Sequence, residues 1–457
     1  MTVTAPAPTA GPLEDGEELP PLAPAIAAPR AVQALRMTVR QIELVFRARR
    51  ELGETFRFYG TFHDEPVTIT SDPDHIKSLF TASPEDAPSI TGESPLRPIV
   101  GPNSTLTALG ARHMRQRKLL LPPFHGEAVE RYTEMIAGIA EKEVDGWKVG
   151  ETIALGPRMQ AMTLDVIMAG IFGVEGRPER GTSEYGLRRC VRALADLSTH
   201  PLAQIGELMN AGREEPVGFL KAALAVLDRY VYRVIAERRA AADSERADVL
   251  SLLLHATTED GQPLTDTELR DELLTLVLAG HETTANQLAW TFERLVRAPE
   301  ALEALTAAVR GGDGAEQVEA TIHESMRSRP VIPMIGRRVT RPWRLGEHGV
   351  PEGGIVLMSI LLLHHREDIY PDPFAFRPER FLGTKPGTYT WIPFGGGIRR
   401  CLGAALAMAE QRIVVETIAR RCDLAAASPE PERAKHRNVT MIPAGGARVR
   451  VLARASR

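Results

Sequence analysis

The stretch F-G-G-G-I-R-R-C-L-G, Phe394 to Gly403, runs directly into A-A-L-A-M-A-E-Q-R-I-V-V-E-T-I-A-R-R, and its reading decides the fold. Three consecutive glycines permit positive φ and let the backbone approach a flat ligand closely. The text after Gly403 repeats its apolar residues at the spacing of a helix. Cys401 therefore stands at a helix start, where the dipole and unpaired N–H groups favour a thiolate, and such a sulfur suits iron. Alone, Gly395, Gly396 and Gly397 would describe only a tight turn beside an ordinary thiol. Cys190 and Cys422 lie in helical text without glycines and read as structural.

Other motifs lie upstream. The clearest helix opens at Thr265, where T-D-T-E offers a capping box, and runs without proline to about Ala298, on the order of 50 Å. Within it, A-G-H-E-T-T-A spans Ala279 to Ala285. Gly280 costs the helix roughly 1 kcal/mol relative to alanine, and close approach to a ligand is a reason to keep it. The H-E-T-T at His281 begins like a zinc-protease helix, but Ala285 occupies the place of the second histidine, so the motif lacks a ligand. E-S-M-R at Glu324 to Arg327 and P-E-R-F at Pro378 to Phe381 complete the set, with the basic helical text A-R-H-M-R-Q-R-K-L-L-L at Ala111 to Leu121.

These residues resemble the cytochrome P-450 superfamily. Phe394, Gly397, Arg399, Cys401 and Gly403 match every fixed position of F-x-x-G-x-(R/H)-x-C-x-G. Glu324 and Arg327 match its E-x-x-R, and Ala279 to Thr284 match (A/G)-G-x-(D/E)-T-(T/S). The resemblance implies haem b held by Cys401, with Phe394 shielding the sulfur and Arg399 on a propionate. His113 and Arg117, one helical turn apart, and Arg337 are expected as further propionate contacts, with Ala279 and Gly280 over the other haem face. Glu282 and Thr283 take the roles of proton relay and dioxygen contact. Glu324, Arg327 and Arg380 form a structural network that orients the cysteine loop. Two departures, Pro342 after the arginine strand and His365 to Asp368 where Asn-Arg-Asp is frequent, fall away from this chemistry. The resemblance runs from about Leu19 to Leu452.

The expected fold is mainly α with a small β region. The resemblance makes it a single-domain triangular prism, with haem between a long distal helix and a proximal cysteine loop. Residues 1–25 read as a disordered or extended Pro/Ala-rich leader, and 26–457 as the catalytic domain. Phe56 to Thr70 reads as a hairpin and Arg337 to Ile360 as a second strand region. From Ala111 to Arg327 the pattern is helical, with boundaries at Pro122, Pro157, Pro216 and Pro263.

A net charge of −4 without a repeated basic stripe gives no reason to expect nucleic acid as a partner. Three cysteines cannot build a disulfide framework, which fits a reducing cytoplasm. Neither a signal peptide nor an apolar run long enough for a membrane anchor is found. The expected activity is insertion of one oxygen atom from O2 into a lipophilic substrate of fatty acid, steroid or terpenoid class. The chain has no flavin or nicotinamide unit of its own, so NAD(P)H-derived electrons are expected through ferredoxin reductase and an acidic ferredoxin. The expected docking face comprises Arg112, Arg115, Lys118 and Arg400, and the chain is expected to be a monomer. The pocket is expected to draw on Leu276, Val331, Ile332, Met334, Ile335, Met441 and Ile442. Alternatives are a haem-thiolate peroxygenase or isomerase, a non-catalytic haem carrier, and a helical scaffold without cofactor.

Overall fold

The computed structural model describes residues 9–60, 66–94, 96–174, 176, 178–198, 210, 213, 215–241, 246, 248–257, 261–437 and 439–456. Leader residues 1–8 and the tip of the Phe56 to Thr70 hairpin, 61–65, lie outside them. The elements that bear on the site are β1 (Ala10–Pro12), β2 (Thr55–Phe58), β3 (Val67–Thr70), α1 (Pro73–Thr81), α2 (Gly110–Leu120), α3 (Thr133–Asp145), α4 (Leu155–Phe172), α5 (Gly218–Ala241) and α6 (Asp266–Leu295). They continue with α7 (Ala315–Ser328), β4 (Met334–Arg338), β5 (Trp343–Leu345), β6 (His348–Val350), β7 (Ile355–Ser359), α8 (Ala404–Arg421), β8 (Ala434–Arg437) and β9 (Thr440–Pro443).

The chain forms two interleaved compact units. The first takes Met1–Ile90, Ala289–Cys401 and Leu424–Arg450, and the second takes Thr91–Leu288, Leu402–Asp423 and Val451–Arg457. The first unit holds the sheets. Its largest has the order β2-β3-β7-β4, with β2 and β3 antiparallel from Thr55↔Thr70 to Phe58↔Val67 and β3 parallel to β7 through Thr68↔Val356. Residues from the leader are inlaid: β1 pairs antiparallel with β5, Leu13 N donates to Pro342 O, and Leu13 and Ala23 are buried. Two apolar clusters fill this unit, one around Leu79, Phe80, Trp343 and Ile392, the other around Phe56, Ile69, Leu361 and Met441.

The second unit is helical, its core built from Leu164, Ile167, Ile171, Val231, Leu273 and Val277 of α4, α5 and α6. The capping box forms in full: Thr265 Oγ1 accepts from Glu268 N at 3.2 Å, and Glu268 Oε2 accepts from Thr265 N at 2.9 Å. Two orphan N–H groups are thus satisfied reciprocally. The helix ends at Leu295, three residues before the expected Ala298, and is about 45 Å long. The C-terminal residue of α8, Arg421, ties that helix to α3 by donating to Asp145 at 2.9 Å and to Glu141. Among the described residues no helix is long and apolar enough to cross a membrane.

Candidate haem site

In the first unit the cysteine loop is folded on itself and on α1. Gly395 N donates to Ile392 O, Arg400 N to Gly397 O, and Cys401 N to Phe394 O, at 2.9, 3.1 and 2.9 Å. Gly397 has φ +63°, and a Cβ there would collide with the backbone oxygen of Phe80, so both conformation and close approach require glycine. A Cβ on Gly396 would enter the Phe80 ring. Phe394 is half-buried, edge-on to Trp391 at 6.2 Å. The loop leaves Cys401 exposed, whereas Cys190 is partly covered and Cys422 buried. Arg399 and Gly403 flank it, half-buried.

Arg337 lies in β4, 6% exposed, and its guanidinium donates to Gly336 O at 3.1 Å. Burial alone pulls its pKa down to about 10, and no carboxylate among the described residues pairs with it. A buried cation without a counter-ion is costly and is stabilised by an anionic ligand, so an accessible thiol and this arginine fit a haem with its propionates.

Behind the loop, Glu324, Arg327 and Arg380 come together. Glu324 and Arg327 are fully buried and joined fork to fork at 2.7 and 2.8 Å. The remaining Arg327 donors reach the carbonyls of His364, Pro373 and Ala375, so all five are used. Arg380 Nε stands 3.7 Å from Glu324 Oε1, and Arg380 also donates to Asp372 O.

In the second unit, α6 is buried through most of its turns and opens locally at Ala279, which is exposed, and at Gly280, Glu282 and Thr283, which are half-exposed. Thr283 Oγ1 donates to Ala279 O at 2.7 Å, so the hydroxyl meets a ligand as an acceptor. Glu282 O accepts from Asn286. His281 is buried, and its carbonyl accepts from Thr163 at 2.8 Å. Gly280 corrects the ligand-approach reading: a Cβ there would meet Ile167 Cδ1 at 2.5 Å, so contact between α6 and α4 explains the glycine. On α2, His113 is buried with Nδ1 against Thr105 O at 3.0 Å, and Arg117 is half-buried one turn later. Arg115 is engaged within the unit by Glu268 at 2.7 Å. Burial pushes the Glu268 carboxyl up, but the bonds from Arg115 and Thr265 outweigh it and hold the group below its usual range.

Of the expected pocket residues, Leu276 joins the second unit's core. In the first, Val331, Ile332, Met334 and Ile335 follow α7, and Val331 O accepts from Met441 N at 2.7 Å. Ile335 Cδ1 is within 3.5 Å of where a Cβ on Gly395 would lie. Met441 departs from expectation: its side chain is 1% exposed, packed with Phe56 and Ile69 in the core, while Ile442 is half-buried. Sequence reading gave no role to Glu272 and Glu410, buried acids whose pKa burial raises to about 8, nor to the buried ring of His364. Their sequence neighbours carry no signal of it.

The family model described as Cytochrome P450 matches residues 29–450. A provisionally named cytochrome P450 138 of Mycobacterium tuberculosis is 37% identical over 435 residues, covering 94% of this chain and 96% of the relative. A provisionally named cytochrome P450 137 of the same species is 36% identical, covering 93% and 90%. A solved cyanobacterial CYP120A1 with retinoic acid bound superposes with a TM-score of 0.78 at 22% identity, over 95% of this chain and 100% of that one, which shows the fold. Matched over nearly its whole length, the chain belongs to the cytochrome P450 family, haem-thiolate monooxygenases whose cofactor is haem b.

Proposed function

We infer that the protein inserts one oxygen atom from O2 into a lipophilic substrate, with Cys401 as the iron ligand. The observation that carries this is the exposed Cys401 thiol, presented by a glycine loop built onto Phe80. Haem, when bound, supplies dioxygen reduction and oxygen transfer. Arg337, Arg399, His113 and Arg117 hold its propionates, with Arg337 gaining a counter-ion in its buried setting. The small side chain of Ala279, exposed on α6, would leave room for haem to approach. Glu282 would relay protons from solvent, and Thr283, whose hydroxyl proton is committed to Ala279 O, would offer its oxygen as an acceptor. Leu276, Val331, Ile332, Met334, Ile335 and Ile442 favour an apolar substrate, a fatty acid, steroid or terpenoid, since they offer no charged side chain. Residues 26–457 act as one catalytic domain, a cytoplasmic monomer.

Two measurements test this. The reduced, carbon monoxide-bound protein is expected to show the Soret band of thiolate ligation, lost in Cys401→Ala. In Thr283→Ala, NAD(P)H consumption is expected to continue while product per NAD(P)H falls about tenfold or more; full coupling in the variant would move the reading to peroxygenase or isomerase chemistry.

Electrons are taken from separate partners, an acidic ferredoxin and its reductase. Arg112, Lys118 and Arg400 are exposed and suit such a partner, while Arg115 is matched by Glu268. Charge reversal at Lys118 and Arg400 is expected to slow reduction about tenfold at low salt and leave substrate affinity unchanged. Unchanged reduction kinetics would remove these residues from the reading.

A further inference from the structure

His364 has no part in the chemistry above, yet it is fully buried between the Glu324/Arg327 pair and the cysteine loop. Its backbone carbonyl accepts from Arg327 Nη1 at 2.8 Å. Its ring Nε2 accepts from Ile392 N at 2.9 Å, and Ile392 O in turn accepts from Gly395 N. Two residues beyond Ile392, Phe394 O takes the N–H of Cys401. The ring of Tyr370 stands edge-on to the imidazole at 6.4 Å, and the Arg327 guanidinium lies over that same tyrosine.

We propose that His364 is the positioning residue that carries the order of the Glu324/Arg327 pair into the cysteine loop, by offering its ring Nε2 as the acceptor for Ile392 N–H. The proposal rests on Cys401 as iron ligand. An acceptor is needed at this point because Ile392 is buried, and its N–H would otherwise be left without a partner away from water. For Nε2 to accept, the ring proton must sit on Nδ1, which fixes the tautomer. The protonated ring would have no acceptor. Burial, reinforced by the charge on Arg327, drives the pKa of His364 down to about 3, so the accepting form persists across the working range of pH.

A histidine kept only for its volume would be replaceable by an aromatic ring; one kept as an acceptor would not. The test uses the haem-loaded full chain and compares His364→Phe, which keeps ring volume without an acceptor, with His364→Gln, whose side-chain carbonyl reaches the Nε2 position. Ile392 N–H is expected to exchange about tenfold or more faster in His364→Phe, the loss of one buried acceptor, and to return toward the parent rate in His364→Gln. In the carbon monoxide complex the fraction that has lost thiolate ligation is expected to rise in His364→Phe and to be restored in His364→Gln. Equal exchange and equal thiolate loss in the two variants would overturn the proposal. Should His364→Phe fail to fold, nitrogen-15 spectra of the parent decide: an Nδ1–H tautomer supports the acceptor role, and an Nε2–H tautomer removes it. Failure of the underlying reading is distinguishable, because the parent protein itself would then lack the thiolate band.

Discussion

At Arg327 a single side chain makes five hydrogen bonds in a fully buried setting, two of them to the Glu324 carboxylate. Removing it leaves the buried Glu324 carboxylate with a cation only at the longer 3.7 Å contact to Arg380, and three carbonyls without this donor. Arg327→Met is expected to lower stability by about 3–5 kcal/mol, read from the shift of the urea midpoint. Glu324→Gln in the same background should recover part of that, since the uncompensated charge is gone. The spacing of Glu324 and Arg327 was legible in the sequence as a turn-separated pair. Their burial, and the carbonyls from 364 to 375 that surround them, were not, because no local pattern reports where a chain 40 residues on will return. Cys401 was legible for the opposite reason: the glycines, the cysteine and the helix that follows are contiguous.

The distal helix shows what an element inherits from its neighbours. Its capping box was readable in T-D-T-E, and the structure builds both bonds. Gly280 was readable as a residue with a reason, but the reason lies on α4: Ile167 Cδ1 occupies the space of the missing Cβ. Gly280→Ala is expected to cost about 1–3 kcal/mol of stability through overpacking, partly offset by helix propensity. In an Ile167→Val background, which removes Cδ1, the same substitution should cost little or turn favourable. An unchanged penalty in that background, measured by thermal unfolding, would return Gly280 to a ligand-facing role. The same limit applies to Gly396 and Gly397. Their need for small size is local and legible, while the partner that enforces it, Phe80, is more than 300 positions away and was unreadable. Met441 failed as a pocket residue for the same reason, since an apolar side chain on a strand beside a site suits core and cavity alike.

Over the whole molecule, buried titratable groups set a pH profile of stability. His364, at about 3, and His365, well below its usual 6.5, stay neutral in the folded chain because burial opposes charging and Arg327 adds to it. The unfolded chain takes up their protons below pH 6.5, so their contribution is lost as pH falls through that value toward 3. Glu272 and Glu410 act oppositely: burial holds both at about 8, and the unfolded chain ionises above 4.5, so stability is lost as pH rises from 4.5 to 8. Each group contributes a slope of about 1.4 kcal/mol per pH unit within its window. Glu410→Gln is therefore expected to raise the unfolding temperature at pH 8 and to change it little at pH 4.5; a gain independent of pH would refute the assignment. The sheet register has a consequence in time rather than energy. β3 is complete early in synthesis, but its parallel partner β7 pairs through Thr68↔Val356 and leaves the ribosome 288 residues later. At about 5–20 residues per second, that edge waits on the order of 15–60 s without its neighbour. A newly made chain thus carries an open strand through most of its own translation, and its yield in a cell should respond to the supply of chaperones that cover such edges.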